Sequence, residues 1–193
     1  QAAGEFEPIK LGGHKMVIKQ ISEKKTQGGL DMLVILFDFA EGDEQAGYFM
    51  KQFENDIRPD KKYPNAGTNY MVIDEGVDYG VRNLKTFITC VEKSNPGFAV
   101  KWGDNFGQQF KGKLIGGIFR LEKDWYDNKE VKRHKLAWFR SIEGIKDADI
   151  PEERTTKAYD DHLKEEAIMG ANPSGTDFMS IPDSVADDVL PFN

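Results

Sequence analysis

The chain has 193 residues, 39% of them hydrophobic and 31% charged, with a formal net charge of -7; that is enough for one cored domain with an appendage and short for two independent domains. No apolar run approaches the roughly 20 residues that cross a bilayer, so no membrane association is expected, and the longest, Met32 to Phe37, suits a buried strand. Cys90 is the single cysteine, which excludes an intrachain disulfide and a cysteine-built zinc site and fits a reducing cytoplasm.

In chain order, Lys15 to Lys24 interleaves Val17, Ile18 and Ile21 with polar residues, and Gln27-Gly28-Gly29 supplies a turn before the apolar stretch Leu30 to Ala40. This alternation predicts a β-hairpin. Glu41 to Glu44 is a second turn signal, and Tyr48 to Phe53 reads as a third strand of a meander. The polar stretch Glu54 to Asn69, with two prolines and with Lys61, Lys62 and Tyr63, is expected to be a loop. Val81 to Lys93 has one apolar helix face, Cys90 on it, and Ser94-Asn95-Pro96-Gly97 closes the helix because proline cannot continue it. Leu114 to Trp125 and Val131 to Ile142 flank the turn cluster Tyr126 to Glu130 and predict a long basic hairpin, with Gly116 and Gly117 marking a bulge or a barrel corner. The resulting order, β-β-β-α-β-β, is that of a mainly β, OB-like five-stranded barrel over residues 8–145.

Charge divides unevenly along the chain. Through Ile142 there are 22 Lys+Arg against 20 Asp+Glu, whereas Glu143 to Asn193 holds 4 against 13. Residues 146–193 therefore read as an acidic tail, with a helix only over Lys157 to Ile168 and the remainder expected to be flexible. Phe110 to Ile142 holds 9 Lys+Arg against 4 Asp+Glu and is rich in aromatics. A cationic groove follows a nucleic-acid backbone and aromatic faces stack on unpaired bases. The candidates are Arg120, Lys123, Trp125, Tyr126, Lys132, Arg133, Lys135, Trp138 and Arg140 in the basic hairpin, with Tyr48 and Lys51 on the neighbouring strand and Lys61, Lys62 and Tyr63 in the loop. Neighbours on a strand point to opposite faces, so only one of Trp138 and Phe139 is expected to face the ligand.

The last seven residues are Asp187-Asp188-Val189-Leu190-Pro191-Phe192-Asn193. Acids followed by a compact apolar cluster suit docking on a basic-rimmed pocket of another protein, with Phe192 and Leu190 as anchors. Asp187 to Phe192 resembles the C-terminal tip of bacterial single-stranded DNA-binding proteins, departing by the added Asn193. The stretch Gly67 to Ile88, and Gly112-Lys113-Leu114-Ile115-Gly116-Gly117-Ile118-Phe119 with Trp138-Phe139-Arg140-Ser141, resemble phage-encoded single-stranded DNA-binding proteins of Gram-positive hosts. The resemblance implies single-stranded DNA as ligand, a role in phage replication or recombination in the bacterial host cytoplasm, and recruitment of replication or recombination proteins by the tip. It leaves open a homo-oligomer, and a protein adaptor without DNA binding as the competing function.

Catalytic patterns are thin. His14, His134 and His162 have no second histidine at ligand spacing, and neither a GxxxxGK[ST] phosphate loop nor a GxSxG elbow occurs. Asp74, Glu75 and Asp78 are the remaining nuclease-like group, and carboxylates this close in a turn are mostly structural. The expectation is a binding protein with no catalytic residues, metal or cofactor.

Overall fold

The computed structural model describes residues 7–171. The first hairpin joins β1 (Gly12–Lys25) to β2 (Asp31–Phe39), and β1 also pairs antiparallel with β4 (Leu114–Tyr126). β3 (Thr68–Val72) extends the sheet beyond β2, and β5 (Lys129–Arg140) extends it beyond β4. The order is β3-β2-β1-β4-β5, with a two-residue β6 (Arg154–Thr155) parallel to β4. The fold is thus a mainly antiparallel sheet of six strands that does not close. The sheet is consistent with the expected OB-like fold, but the five strands do not form a closed barrel: β3 and β5 lie at opposite ends of the sheet and are not hydrogen-bonded to each other.

Among the described residues three helices accompany the sheet: α1 (Tyr48–Asn55), α2 (Asp78–Ser94) and α3 (Lys157–Ala171). The basic hairpin turns on Asp127 and Asn128, both at positive φ (53° and 56°), the backbone of a two-residue turn whose twist matches the strands. α2 ends where Asn95 donates from Nδ2 to the Val91 and Leu114 carbonyls, both at 2.7 Å, and accepts the Leu114 N–H at 3.0 Å. That side chain stops the helix and ties it to the start of β4.

Tyr48 to Phe53, expected as the third strand, is helical. Gly47 sits in the left-handed region (φ 72°) and breaks any extended run. Asp38, buried at the end of β2, then caps the new helix from outside: Oδ1 accepts the Phe49 N–H at 3.0 Å and Oδ2 the Met50 N–H at 3.1 Å. A carboxylate over the first turn satisfies donors with no intrahelical partner and complements the helix dipole. The third strand is instead Thr68–Val72, after a 3-10 turn at Asn65–Gly67. The order β-β-β-α-β-β survives once α1 is set aside.

The core is aromatic. Phe37, Phe39, Phe49, Phe87, Phe110 and Phe119 are fully buried, and Phe37 meets Phe49 edge-on with centroids 5.7 Å apart. Gly117 faces this core, where a Cβ would lie 2.7 Å from Leu136 and collide with Met16. Cys90 is buried on the inner face of α2. Residues 146–171, assigned to the tail by composition, contribute β6 and α3, both in contact with β4.

Replacing Asp38 with Ala strands three buried or part-buried amides, those of Phe39, Phe49 and Met50. The expected loss is about 2–4 kcal/mol, with Asp38→Asn losing less because one oxygen acceptor remains. Urea denaturation checks this, and an unchanged midpoint for Asp38→Ala rules the cap out as a determinant of the fold.

Candidate nucleic-acid interface

The open side of the sheet is a seam between β3 and β5, and α2 packs against both of these strands. A bulge sets what β5 shows there. Phe119 pairs with Leu136 and Ile118 with Trp138, leaving Ala137 as the extra residue. One extra residue reverses the alternation of side chains, so Leu136 and Phe139 both pack on the core while Trp138 turns outward at 38% exposure. Of the Trp138-Phe139 pair, Trp138 is the one that reaches solvent.

Two concavities border β5, one of them at the seam. One, of about 440 Å³, is bounded by β3, α2 and β5. It holds Trp138 together with Tyr70 and Tyr79, which are 60% and 45% exposed, and with Arg82; among the described residues no carboxylate lines it. Arg140 lies over the Trp138 ring at 5.5 Å. The other, of about 310 Å³, is reached along β5 through Lys132, Arg133, His134 and Lys135, opposite Tyr48 of α1 and Asn65 and Ala66 of the 3-10 turn, again with no acidic lining among the described residues. The rise of about 3.3 Å per strand residue sets Arg133 and Trp138, five positions apart, on the order of 15 Å from each other. Aromatic faces and cations thus border two separate concavities at successive stretches of β5.

The remaining expected residues are spread more widely. Lys51 of α1 donates to the Ala46 carbonyl at 3.1 Å, and Tyr48 donates its hydroxyl to Glu7 O at 2.7 Å. Lys61 lies 4.7 Å over the Phe53 ring and Lys62 is exposed nearby. Tyr63 donates to the Phe37 carbonyl at 2.8 Å, and burial pushes its phenol well above the usual range. On the hairpin Lys123 pairs with Glu153 at 2.6 Å, Lys132 with Glu130 at 3.7 Å, Arg133 with Asp124 at 3.1 Å and Lys135 with Glu122 at 2.6 Å. Arg120 sits across from Lys135 with a buried Nε that no acceptor among the described residues meets. Tyr126 is exposed, with the Arg133 guanidinium 6.0 Å from its ring centre.

Trp125 is covered. His162 of α3 stacks on it at 3.4 Å between centroids and 11° between planes, while Thr156 donates to Asp124 at 2.6 Å and Tyr159 to Glu130 at 2.9 Å. The tip residues Asp187, Asp188, Val189, Leu190, Pro191 and Phe192 lie outside the described residues. Sequence reasoning missed Tyr70, Tyr79 and Arg82. The alternation of exposed Tyr70 with buried Met71 carried a strand signal in a stretch too short to stand out.

Of the nuclease-like group, Asp74 is occupied as a turn acceptor, taking the Asp31 N–H at 3.0 Å and the Gly76 N–H at 2.8 Å. These two N–H donors hold its carboxyl below the usual range. Among the described residues no helix is long and apolar enough to cross a membrane.

No protein-family model and no curated protein matches the chain. Among solved structures, one of yeast RPA bound to ssDNA is similar over 88% of this chain and 92% of that chain, at 12% identity and a TM-score of 0.24, a likeness too distant to bear on fold or ligand.

If the Trp125 stack holds α3 in place, Trp125→Ala exposes α3. Amide exchange of residues 157–168 is then expected to rise at least tenfold while β1 and β2 keep their protection. Unchanged exchange in α3 would show that the Thr156 and Tyr159 hydrogen bonds suffice.

Proposed function

We propose that the chain is a non-enzymatic single-stranded DNA-binding protein whose strand lies along the β3–β5 seam, with little sequence preference. The observation that carries this is the pair of concavities along β5: three exposed aromatics at one, Lys132, Arg133 and Lys135 with His134 at the other, and among the described residues no carboxylate lining either. Stacking on Tyr70, Tyr79 and Trp138 needs unpaired bases, which a duplex keeps stacked within itself. Each stacked base contributes about 1–3 kcal/mol, and every base has a π-face, so the mode is tolerant of sequence.

The ion pairs on the hairpin do not weigh against this reading. Arg133 and Lys135 are 38% and 48% exposed in their side chains, and pairs of this kind contribute about 0–1 kcal/mol. A phosphate that takes over such a cation displaces little and releases its own counterions. By the sequence resemblance, the setting is phage DNA replication or recombination in a bacterial host cytoplasm, with Asp187 to Phe192 recruiting replication or recombination proteins.

Titrating the full chain with labelled oligo-dT and with duplex, each at two salt concentrations, tests the reading. Oligo-dT is expected to bind more tightly, with affinity falling as salt rises. Tyr70→Ala and Tyr79→Ala each weaken binding about five- to 150-fold with the salt slope kept, whereas Arg133→Ala with Lys135→Ala lowers the slope by about 2. Equal affinity for duplex, or binding that ignores salt, overturns the proposal.

A further inference from the structure

A second groove lies away from the seam and has the opposite chemistry. At about 740 Å³ it is larger than either concavity along β5, and it lies among the far end of the β1–β2 hairpin, the chain after β3, one side of α2 and the segment before the 3-10 turn Phe106–Phe110. Its floor is apolar: Met32, Ile73, Val81, Leu84, Ile88 and Trp102. Val81, Leu84 and Ile88 stand at i, i+3 and i+7 on α2 beside the buried Phe87, Cys90 and Val91 face: Val81 is exposed, while Leu84 and Ile88 are half-buried, packing against the core on one side and lining the groove on the other.

Trp102 is 71% exposed, yet the chain that carries it is held in place. Gln109 accepts the Lys101 N–H at 2.8 Å and donates to the Lys101 carbonyl at 2.7 Å, and Glu92 accepts the Val100 N–H at 2.9 Å. The indole stacks on Phe106 at 5.0 Å between centroids. A large aromatic presented to solvent on a fixed loop has its ordering cost already met, the condition under which an interface anchor binds well.

The rim carries four carboxylates, Glu23, Asp31, Asp74 and Glu75, against Lys24 and Lys85. Asp31 is paired with Lys25 at 2.6 Å and Asp74 is engaged by backbone N–H groups. Glu23 and Glu75 make no ion pair among the described residues. Such a rim repels the phosphates of a nucleic acid and also the chain's own Asp187-Asp188 tip. It complements cations.

We infer that this groove docks a basic amphipathic segment of a partner protein, laid as a helix along α2, with its apolar side chains on the Val81, Leu84 and Ile88 stripe and against Trp102, and its lysines or arginines at Glu23 and Glu75. This is the helix-in-groove mode of recognition, in which apolar anchors give affinity and the charged rim selects the partner. It stands independently of the seam, and the two surfaces differ in the sign of their charge.

The test uses the full chain and two 14-residue amphipathic helices of leucine with lysine and of leucine with glutamate, titrated by calorimetry. The lysine peptide is expected to bind and the glutamate peptide not. Trp102→Ala, at an exposed position that leaves the fold intact by thermal melt, lowers affinity for the lysine peptide at least about tenfold. Glu23→Gln with Glu75→Gln lowers it about three- to tenfold and flattens the salt dependence. Both sets of variants keep wild-type affinity for oligo-dT. If the variants bind the lysine peptide as the wild type does, the peptide sits on acidic residues elsewhere and the proposal fails. Equal binding of the two peptides also overturns it. So does self-association of the chain that Trp102→Ala disperses, since the occupant is then a second copy.

Discussion

β3 and β5 end the sheet on opposite sides of the core, and α2 packs against both, so a helix rather than a strand pair completes the enclosure. Phe87 of α2 is fully buried and its ring stands 5.2 Å from that of Phe139 on β5. With that wedge in place the hydrophobic core is covered without β3 and β5 meeting. The seam that remains has backbone edges and outward side chains from two strands distant in sequence, and it is there that Tyr70, Tyr79 and Trp138 come together. Unpaired edges invite pairing with other chains. Lys129, Lys132, Arg133 and Lys135 on β5 counter this by putting charge along the strand.

Buried polar side chains decide how the loops run around this core. His14, 4% exposed, stacks on Phe39 at 4.3 Å and places one ring nitrogen 3.1 Å from Asp43 and the other 2.9 Å from the Lys10 carbonyl. Asp43 also accepts the Lys15 and Gln45 N–H groups, both at 3.0 Å. Burial pushes its carboxyl up, but the His14 contact and these N–H donors outweigh it and leave the group below the usual carboxylate range. The segment between β2 and α1 is thereby anchored at one end by Asp43 and at the other by Asp38. Both carboxylates act through backbone amides, whose charge-assisted hydrogen bonds are stronger than neutral ones.

Electrostatics separates the two surfaces. On the hairpin the composition overstates the available positive charge, because acids on the same strands or in the following segment pair with Lys123, Arg133 and Lys135. What distinguishes the concavities along β5 is that no carboxylate among the described residues lines them, while the groove beside Trp102 has carboxylates at its rim over an apolar floor. A strongly acidic chain can still present a cationic trough, since interactions between exposed charges decay over about 8–10 Å at ordinary salt.

The elements whose signals are local are legible in the residues alone. The β1–β2 alternation, the apolar face of α2 and its Asn95-Pro96-Gly97 stop, and the Asp127-Asn128 turn of the basic hairpin are all encoded within a few residues of where they act. So was the rule that only one of Trp138 and Phe139 reaches solvent, which follows from the strand period. Tertiary structure alone decided the rest. Tyr48 to Phe53 has a strand's composition and becomes helix because Asp38, on another element, supplies the cap. Trp125, legible as a solvent-facing aromatic, is covered by His162 from a segment whose composition reads as tail. Tyr70, Tyr79 and Trp138 share a surface because β3 and β5 are drawn to the two sides of α2, and a separation of some 60 residues along the chain leaves no periodicity from which that neighbourhood can be read.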